Sequence, residues 1–184
     1  QYVFFVMKFS RPVINTGTWQ DEVLTESLRS SSSQNIKAYF QFDLSSSNDI
    51  YVKVAISPVS IEGAKKNLEA EMPGWDFEGI KTLATQKWET ELGKIDVKSD
   101  DTDKLKIFYT ALYHTAIVPN INMDVDAQYR GRDNKIHTAD GFKYYSVFSL
   151  WDTYRGAHPL YTIIDRARTL DYIKTFLVQY QQGG

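Results

Sequence analysis

Apolar side chains recur at every second position through the first third of the chain and at every third or fourth position beyond Ser60, so the pattern predicts strands first and helices afterwards. In YVFFVMKF, residues 2–9, Val3, Phe5, Met7 and Phe9 share one face while Phe4 and Val6 occupy the other. A strand apolar on both sides is expected to be central in a sheet. Arg11-Pro12 ends it, and Asn15-Thr-Gly-Thr18 reads as a turn. Residues 19–34 are polar, finish in Ser30-Ser31-Ser32-Ser33, and predict a surface loop. Ile36, Ala38, Phe40, Phe42 and Leu44 then alternate with polar neighbours, as do Ile50, Val52, Val54 and Ile56, with a turn over Ser45–Asp49. The two runs predict a hairpin. Three antiparallel strands with so much apolar surface require cover from outside this chain.

At Ser60 the period changes. Ser60 is placed to cap a helix carrying Ile61, Ala64 and Leu68 that Pro73-Gly74 stops, and Asp76 to cap a second with Phe77, Ile80, Trp88 and Leu92 in one stripe. Leu105, Phe108, Tyr109, Leu112, Tyr113 and Ala116 mark a third helix. Asp100, Asp101 and Asp103 sit at its N-terminal end, where the macrodipole favours acids, and Pro119 closes it. Residues 120–142 are turn-rich yet hold aromatics and Ile, which predicts a packed, hairpin-like loop. Trp151–Ile163 is predicted helical with Pro159 interrupting it. Asp165 opens a last helix whose stripe is Leu170, Ile173, Leu177 and Tyr180.

Composition narrows the function. A chain of 184 residues with 42% apolar and 14% aromatic side chains can fill a core, and a net charge of -2 without a basic cluster excludes a nucleic-acid footprint. The absence of cysteine removes disulfides, thiolate nucleophiles and Cys-based zinc sites. No apolar run approaches a membrane span, and Gln1-Tyr-Val-Phe-Phe lacks the basic start of a signal peptide. A strand pattern that starts abruptly at residue 2 and a helix that ends in Gly183-Gly184 read as cut edges of a longer protein.

The densest chemistry lies in YYSVFSLWDTYRGAHPL, residues 144–160, where Trp151, Asp152 and Arg155 follow an apolar lead-in. An indole face, an acceptor and a fork of donors suit a polyhydroxylated ligand such as a sugar. The same residue types also describe a core Trp beside a structural ion pair. Asp124-Val-Asp126 opens like a calcium loop, but Tyr129 stands where the turn needs Gly and Lys135 where a bidentate Glu belongs, so these acids are expected to cap turns or pair with Arg130 and Arg132. His114, His137 and His158 are too far apart for a local metal site. There is no nucleophile elbow, phosphate loop or repeat, and spacing singles out no catalytic carboxylate pair.

WDTYRGAHPLYTII, KLKIFYTALYHTAIVPN, YRGRDNKIHTADGF, FLVQYQQGG and VAISPVSIEGAKKNLEAEMPGWDFEGI resemble, in order and spacing, the calcium-dependent exo-α-mannosidases of glycoside hydrolase family 92. The likeness runs from about Tyr51 to Gly184. It implies an α+β chain: the end of an antiparallel β-sandwich over residues 1–60, linker helices over 61–98, and the first helices of an incomplete (α/α)6 toroid over 99–184. It also implies inverting hydrolysis of terminal α-mannosides by a parent enzyme. The acid, the base and most calcium ligands would lie beyond Gly184, which leaves this piece inactive by itself. Asp152 would accept from sugar hydroxyls, Arg155 would donate to them or hold Asp152, and Trp151 would wall the pocket. Mannose-containing glycans and the remaining parent polypeptide are the implied partners, in a secreted, periplasmic or cell-surface setting. A non-catalytic carbohydrate-binding piece and another toroid glycosidase, trehalase-like or glucosidase-like, stay open as alternatives.

Overall fold

The computed structural model describes residues 2–27, 30–45 and 49–183. Residues 7–54 form one compact unit, and residues 1–6 with 55–184 form another.

Strand β1 (Phe4–Phe9) pairs with β5 (Val52–Ser57) in a two-stranded sheet. The expectation that β1 is central in a sheet is therefore not met within this chain: β5 is its one neighbour among the described residues. β2 (Asn15–Gln20), β3 (Val23–Glu26) and β4 (Ile36–Gln41) form a separate sheet of order β3-β2-β4. Two expectations fail here. Residues 15–26, where the pattern predicts a turn and a loop, are a hairpin with Gly17 opposite Glu26 and Gln20 opposite Val23. β4 joins β2, from Asn15 opposite Gln41 to Gln20 opposite Ile36, so it forms no hairpin with β5. The reason is local: Asp21 and Glu22 both adopt positive φ, 46° and 77°. That is the backbone of a tight primed turn, written without the glycine that usually announces it. Tyr39 of β4 lies over Gly17, where an added Cβ would meet its ring at 2.5 Å, and packs against Trp19 with ring centroids 5.4 Å apart and tilted by 58°. The expected Ser45–Asp49 turn lies partly outside the described residues.

The first two helices start where their caps predict, and the third starts at one of the acids expected at its N-terminal end. Ser60 accepts from the Gly63 amide at the head of α1 (Ile61–Glu71), Asp76 from the Gly79 amide before α2 (Phe77–Leu92), and Asp101 from the Asp103 and Lys104 amides before α3 (Thr102–Ile117). Residues 120–146 then form short paired strands, β6 (Asn120–Ile121) with β9 (Tyr145–Ser146) and β7 (Gln128–Arg130) with β8 (Ile136–Thr138). The hairpin-like loop is thus found. α4 (Leu150–Thr153), α5 (Ala157–Ile164) and α6 (Arg166–Gly183) complete the order. The break expected at Pro159 falls instead at Tyr154–Gly156. Pro159 lies in the first turn of α5, where a missing amide hydrogen forfeits no helical bond.

Tyr144 and Tyr145, consecutive residues, serve two aromatic cores because neighbours along a strand point to opposite sides. Tyr144 stacks on Tyr129 at 3.9 Å, with Ala139, Met123, Phe142 and Val178 around them. Tyr145 packs with Tyr161 and Tyr172, joined by Phe148, Ala157 and Phe176. α6 closes both cores, though not with the face its apolar stripe predicts: Tyr172 and Thr175 are buried, while Leu170, Ile173, Leu177 and Tyr180 are exposed. The hydroxyls select the face. Gln179 Nε2 donates to the Tyr144 hydroxyl at 3.2 Å and Gln182 Nε2 to that of Tyr129 at 2.8 Å.

Candidate carbohydrate subsite on the α4 turn

The sugar-binding candidates occupy a one-turn helix between the aromatic core and α5. Phe148 enters the core beside Tyr172 and Phe176, and Ser149 then opens α4. The Ser149 carbonyl accepts from the Asp152 and Thr153 amides, and its hydroxyl donates to Asp152 Oδ2 at 2.5 Å. Trp151 is 84% exposed, and Asp152 and Arg155 are exposed as well. Within this chain Trp151 is not part of a core, and Asp152 and Arg155 form no buried ion pair. Ser149, not Arg155, holds Asp152; Arg155 Nε donates to the Tyr154 hydroxyl at 2.8 Å, with the guanidinium 5.2 Å from that ring. The turn presents an indole, a carboxylate with free acceptor capacity and a guanidinium to the surface.

Beside it, His158 is half-buried between Tyr161, Tyr172 and Phe176, and this burial lowers the pKa of its imidazole. His114 lies exposed against Tyr113, and His137 Nε2 lies 3.0 Å from Asp133, so the three histidines have separate surroundings. Asp126 does cap a turn, accepting from the Gln128 amide, whereas the Asp124 carboxylate caps none, and the partners of neither are arginines. Asp126 pairs with Lys66 at 2.7 Å, while Arg130 donates to the Pro58, Val59 and Asn134 carbonyls. Asp124, 2% exposed, accepts from Ser57 Oγ at 2.7 Å and Asn67 Nδ2 at 2.8 Å. Each of its oxygens thus accepts from a side chain. Among the described residues no three His, Asp or Glu side chains converge as a metal site.

Sequence reasoning missed a second feature, an open cleft of about 530 Å³ that includes Trp88, Asn120, Tyr145, Glu91 and Arg168 in its lining. Arg168 grips Glu91 through both terminal nitrogens at 2.8 and 2.7 Å and reaches Asp165 at 3.0 Å, while Lys94 bridges the same two acids at 2.9 and 2.6 Å. Burial works against the charge on each acid, yet the bonds from Arg168 and Lys94 prevail and hold Glu91 and Asp165 below ordinary carboxyl values. Two acid–base pairs at i,i+3 spacing were visible in the sequence; their meeting across more than 70 residues was not. The resolved shifts of Asp43, Asp101, Asp126 and Asp133 are also downward. A catalytic proton donor at neutral pH needs the opposite shift.

Comparison with known proteins agrees with the fold. Residues 63–184 match the family model described as the glycosyl hydrolase family 92 catalytic domain, and residues 1–57 match that family's N-terminal domain. An uncharacterized secreted glycosidase from Arthroderma benhamiae is 32% identical over 123 residues, 64% of this chain and 15% of that protein. The solved family GH92 α-mannosidase from Bacteroides thetaiotaomicron superposes with a TM-score of 0.89 at 36% identity, covering 98% of this chain and 25% of that one. A GH92 inverting mannosidase from the same species gives 0.85 at 26% identity, covering 97% and 25%. The chain thus spans about a quarter of the length of these solved relatives. With catalytic-domain sequence along most of its length and the fold of these enzymes throughout, the chain belongs to glycosyl hydrolase family 92.

Proposed function

We propose that the chain is part of an inverting exo-α-mannosidase that releases terminal mannose from α-mannosides of glycans, with the α4 turn contributing to the mannose subsite. The observation that carries this reading is the exposed Trp151–Asp152–Arg155 turn in a chain that superposes on an α-mannosidase solved with mannoimidazole. Asp152 accepts from sugar hydroxyls with an oxygen not taken by Ser149, Arg155 donates to them, and Trp151 offers its face to the ring's C–H surface.

Inversion needs a carboxylic acid on the leaving oxygen and a carboxylate on water, about 6.5–9.5 Å apart. The resemblance puts acid and base in the remainder of the parent, which leaves this piece inactive by itself; Glu91 and Asp165, ion-paired and held below ordinary carboxyl values, are not poised as the proton donor. Calcium dependence, which the family resemblance implies, likewise rests on residues outside those described here. The exposed apolar surfaces of β1, α2 and α6 pack in the parent against that remainder. The secreted Arthroderma relative supports an extracytoplasmic location.

The test uses the full-length parent on aryl α-mannoside and aryl α-glucoside, with and without chelator. Mannose release that chelator abolishes is expected, whereas release of glucose or of neither sugar refutes the assignment. Asp152→Ala removes a hydrogen-bonded contact from a polar subsite and should cut kcat/KM by about a hundredfold. A wild-type rate removes Asp152 from the site.

A further inference from the structure

Between β9 and α4 the backbone makes a turn that valine resists. Val147 has φ of +63°, the left-handed region, where its branched Cβ crowds the chain. Such a conformation persists where the surroundings impose it. Upstream, Tyr145 and Ser146 are fixed by pairing with Ile121 and Asn120, and the Tyr145 ring is buried. Downstream, the Phe148 ring is seated against Tyr172 and Phe176. Among the described residues nothing comparable supports α4 from beneath. None of its residues is buried, and a cavity of about 80 Å³ bounded by Pro119, Phe148, Thr153, His158 and Tyr161 lies beside it. The Val147 side chain, itself 61% exposed, does not hold the turn by burial.

We propose that the left-handed backbone at Val147 is the positioning element of the α4 subsite, directing Trp151 and Asp152 away from the aromatic core through its φ rather than its side chain. This rests on the reading of Asp152 as a sugar contact. Ser149 is both the start of α4 and the donor to Asp152, so rotation two residues upstream carries the carboxylate with the helix.

The experiment compares Val147→Gly, Val147→Asn, Val147→Pro and Asp152→Ala in the full-length parent, reading kcat, KM, Tm and affinity for mannoimidazole. Gly and Asn adopt positive φ readily, whereas Pro is confined near -65°. The Gly and Asn variants should keep kcat/KM within about threefold and melt at or above the wild-type Tm, because strain is relieved. The Pro variant should lose about tenfold or more in mannoimidazole affinity and kcat/KM. A Gly or Asn variant that melts lower, or loses more than about tenfold, overturns the proposal, as does a Pro variant with wild-type affinity. If the Pro variant does not fold, the Gly and Asn results decide. Wild-type activity in Asp152→Ala sinks the subsite reading and this proposal with it; loss there beside an unaffected Pro variant sinks this proposal alone.

Discussion

Gly63→Ala sets two opposed effects against each other at one atom. Gly63 lies in the first turn of α1, and by helix propensity an alanine there gains about 1 kcal/mol. The added Cβ would sit 2.0 Å from Asp124 Oδ2, 2.7 Å from Ser57 Oγ and 2.9 Å from Asp124 Cγ. Asp124 has no room to retreat, because it is buried, its amide donates to the Gln128 carbonyl and its carbonyl accepts from the Ala127 amide. Relief requires surrendering the bonds from Ser57 and Asn67, at 2.7 and 2.8 Å. Hydrogen bonds to a carboxylate contribute about 1.5–3 kcal/mol each, so losing both costs about 3–6 kcal/mol and the net effect is a loss of about 2–5 kcal/mol. At about 2–4 °C per kcal/mol for a chain of this size, Tm falls by at least about 4 °C. Denaturant titration and a thermal melt read the change. An unchanged or higher Tm would show that propensity wins and that the Asp124 network is not rigid.

Arg168→Ala removes the common partner of Glu91 and Asp165 and should destabilise by about 1–3 kcal/mol, less than a fully buried pair because the network is partly solvated. A denaturant midpoint matching that of the exposed control Glu62→Ala would refute it. Acid should destabilise in two stages. Burial lowers the folded pKa of His158, so the unfolded chain takes up its proton first and stability falls as pH drops through about 6.5 toward that lower value. The depressed pKa values of Glu91 and Asp165 contribute stability above their unfolded values and lose it as pH falls through the folded ones, below about 4. A flat Tm between pH 7 and 5 would remove His158 from the account, and Arg168→Ala should weaken the second stage.

Where an element announces itself by local chemistry, the sequence was legible. Ser60 and Asp76 cap the helices they precede, since a cap needs only its own amides two or three residues on, and Asp101, expected only as an acid favoured by the macrodipole, caps α3. Strand partnership was not legible, because a ladder is a property of two segments. The β2–β3 hairpin is polar, carries Gly17 mid-strand and turns through Asp21-Glu22, so neither alternation nor turn composition marked it. Once it was overlooked, the nearest alternating run became β4's apparent partner. The Trp151–Asp152–Arg155 grouping could be read from spacing, yet Ser149 as the anchor of Asp152 depends on an α4 turn whose boundary the sequence placed elsewhere.

α6 docks by a face other than the one its hydropathy favours. Leu170, Ile173, Leu177 and Tyr180 form the stronger stripe by hydropathy, but the side that docks in this chain presents Arg168, Tyr172, Thr175, Phe176 and Gln179. Polarity on that side is not a defect of packing. The Thr175 hydroxyl accepts from the Tyr145 amide and donates to the Asp171 carbonyl, and Gln179 and Gln182 satisfy two tyrosine hydroxyls. An aromatic core rich in Tyr must pair its hydroxyls, and a purely aliphatic face would leave them orphaned at about 1–3 kcal/mol apiece. Hydropathy ranks the two faces by transfer to oil, whereas the core selects the face that completes its hydrogen bonds. The aliphatic stripe is then free for a second neighbour, as in a helix built to be covered on both sides.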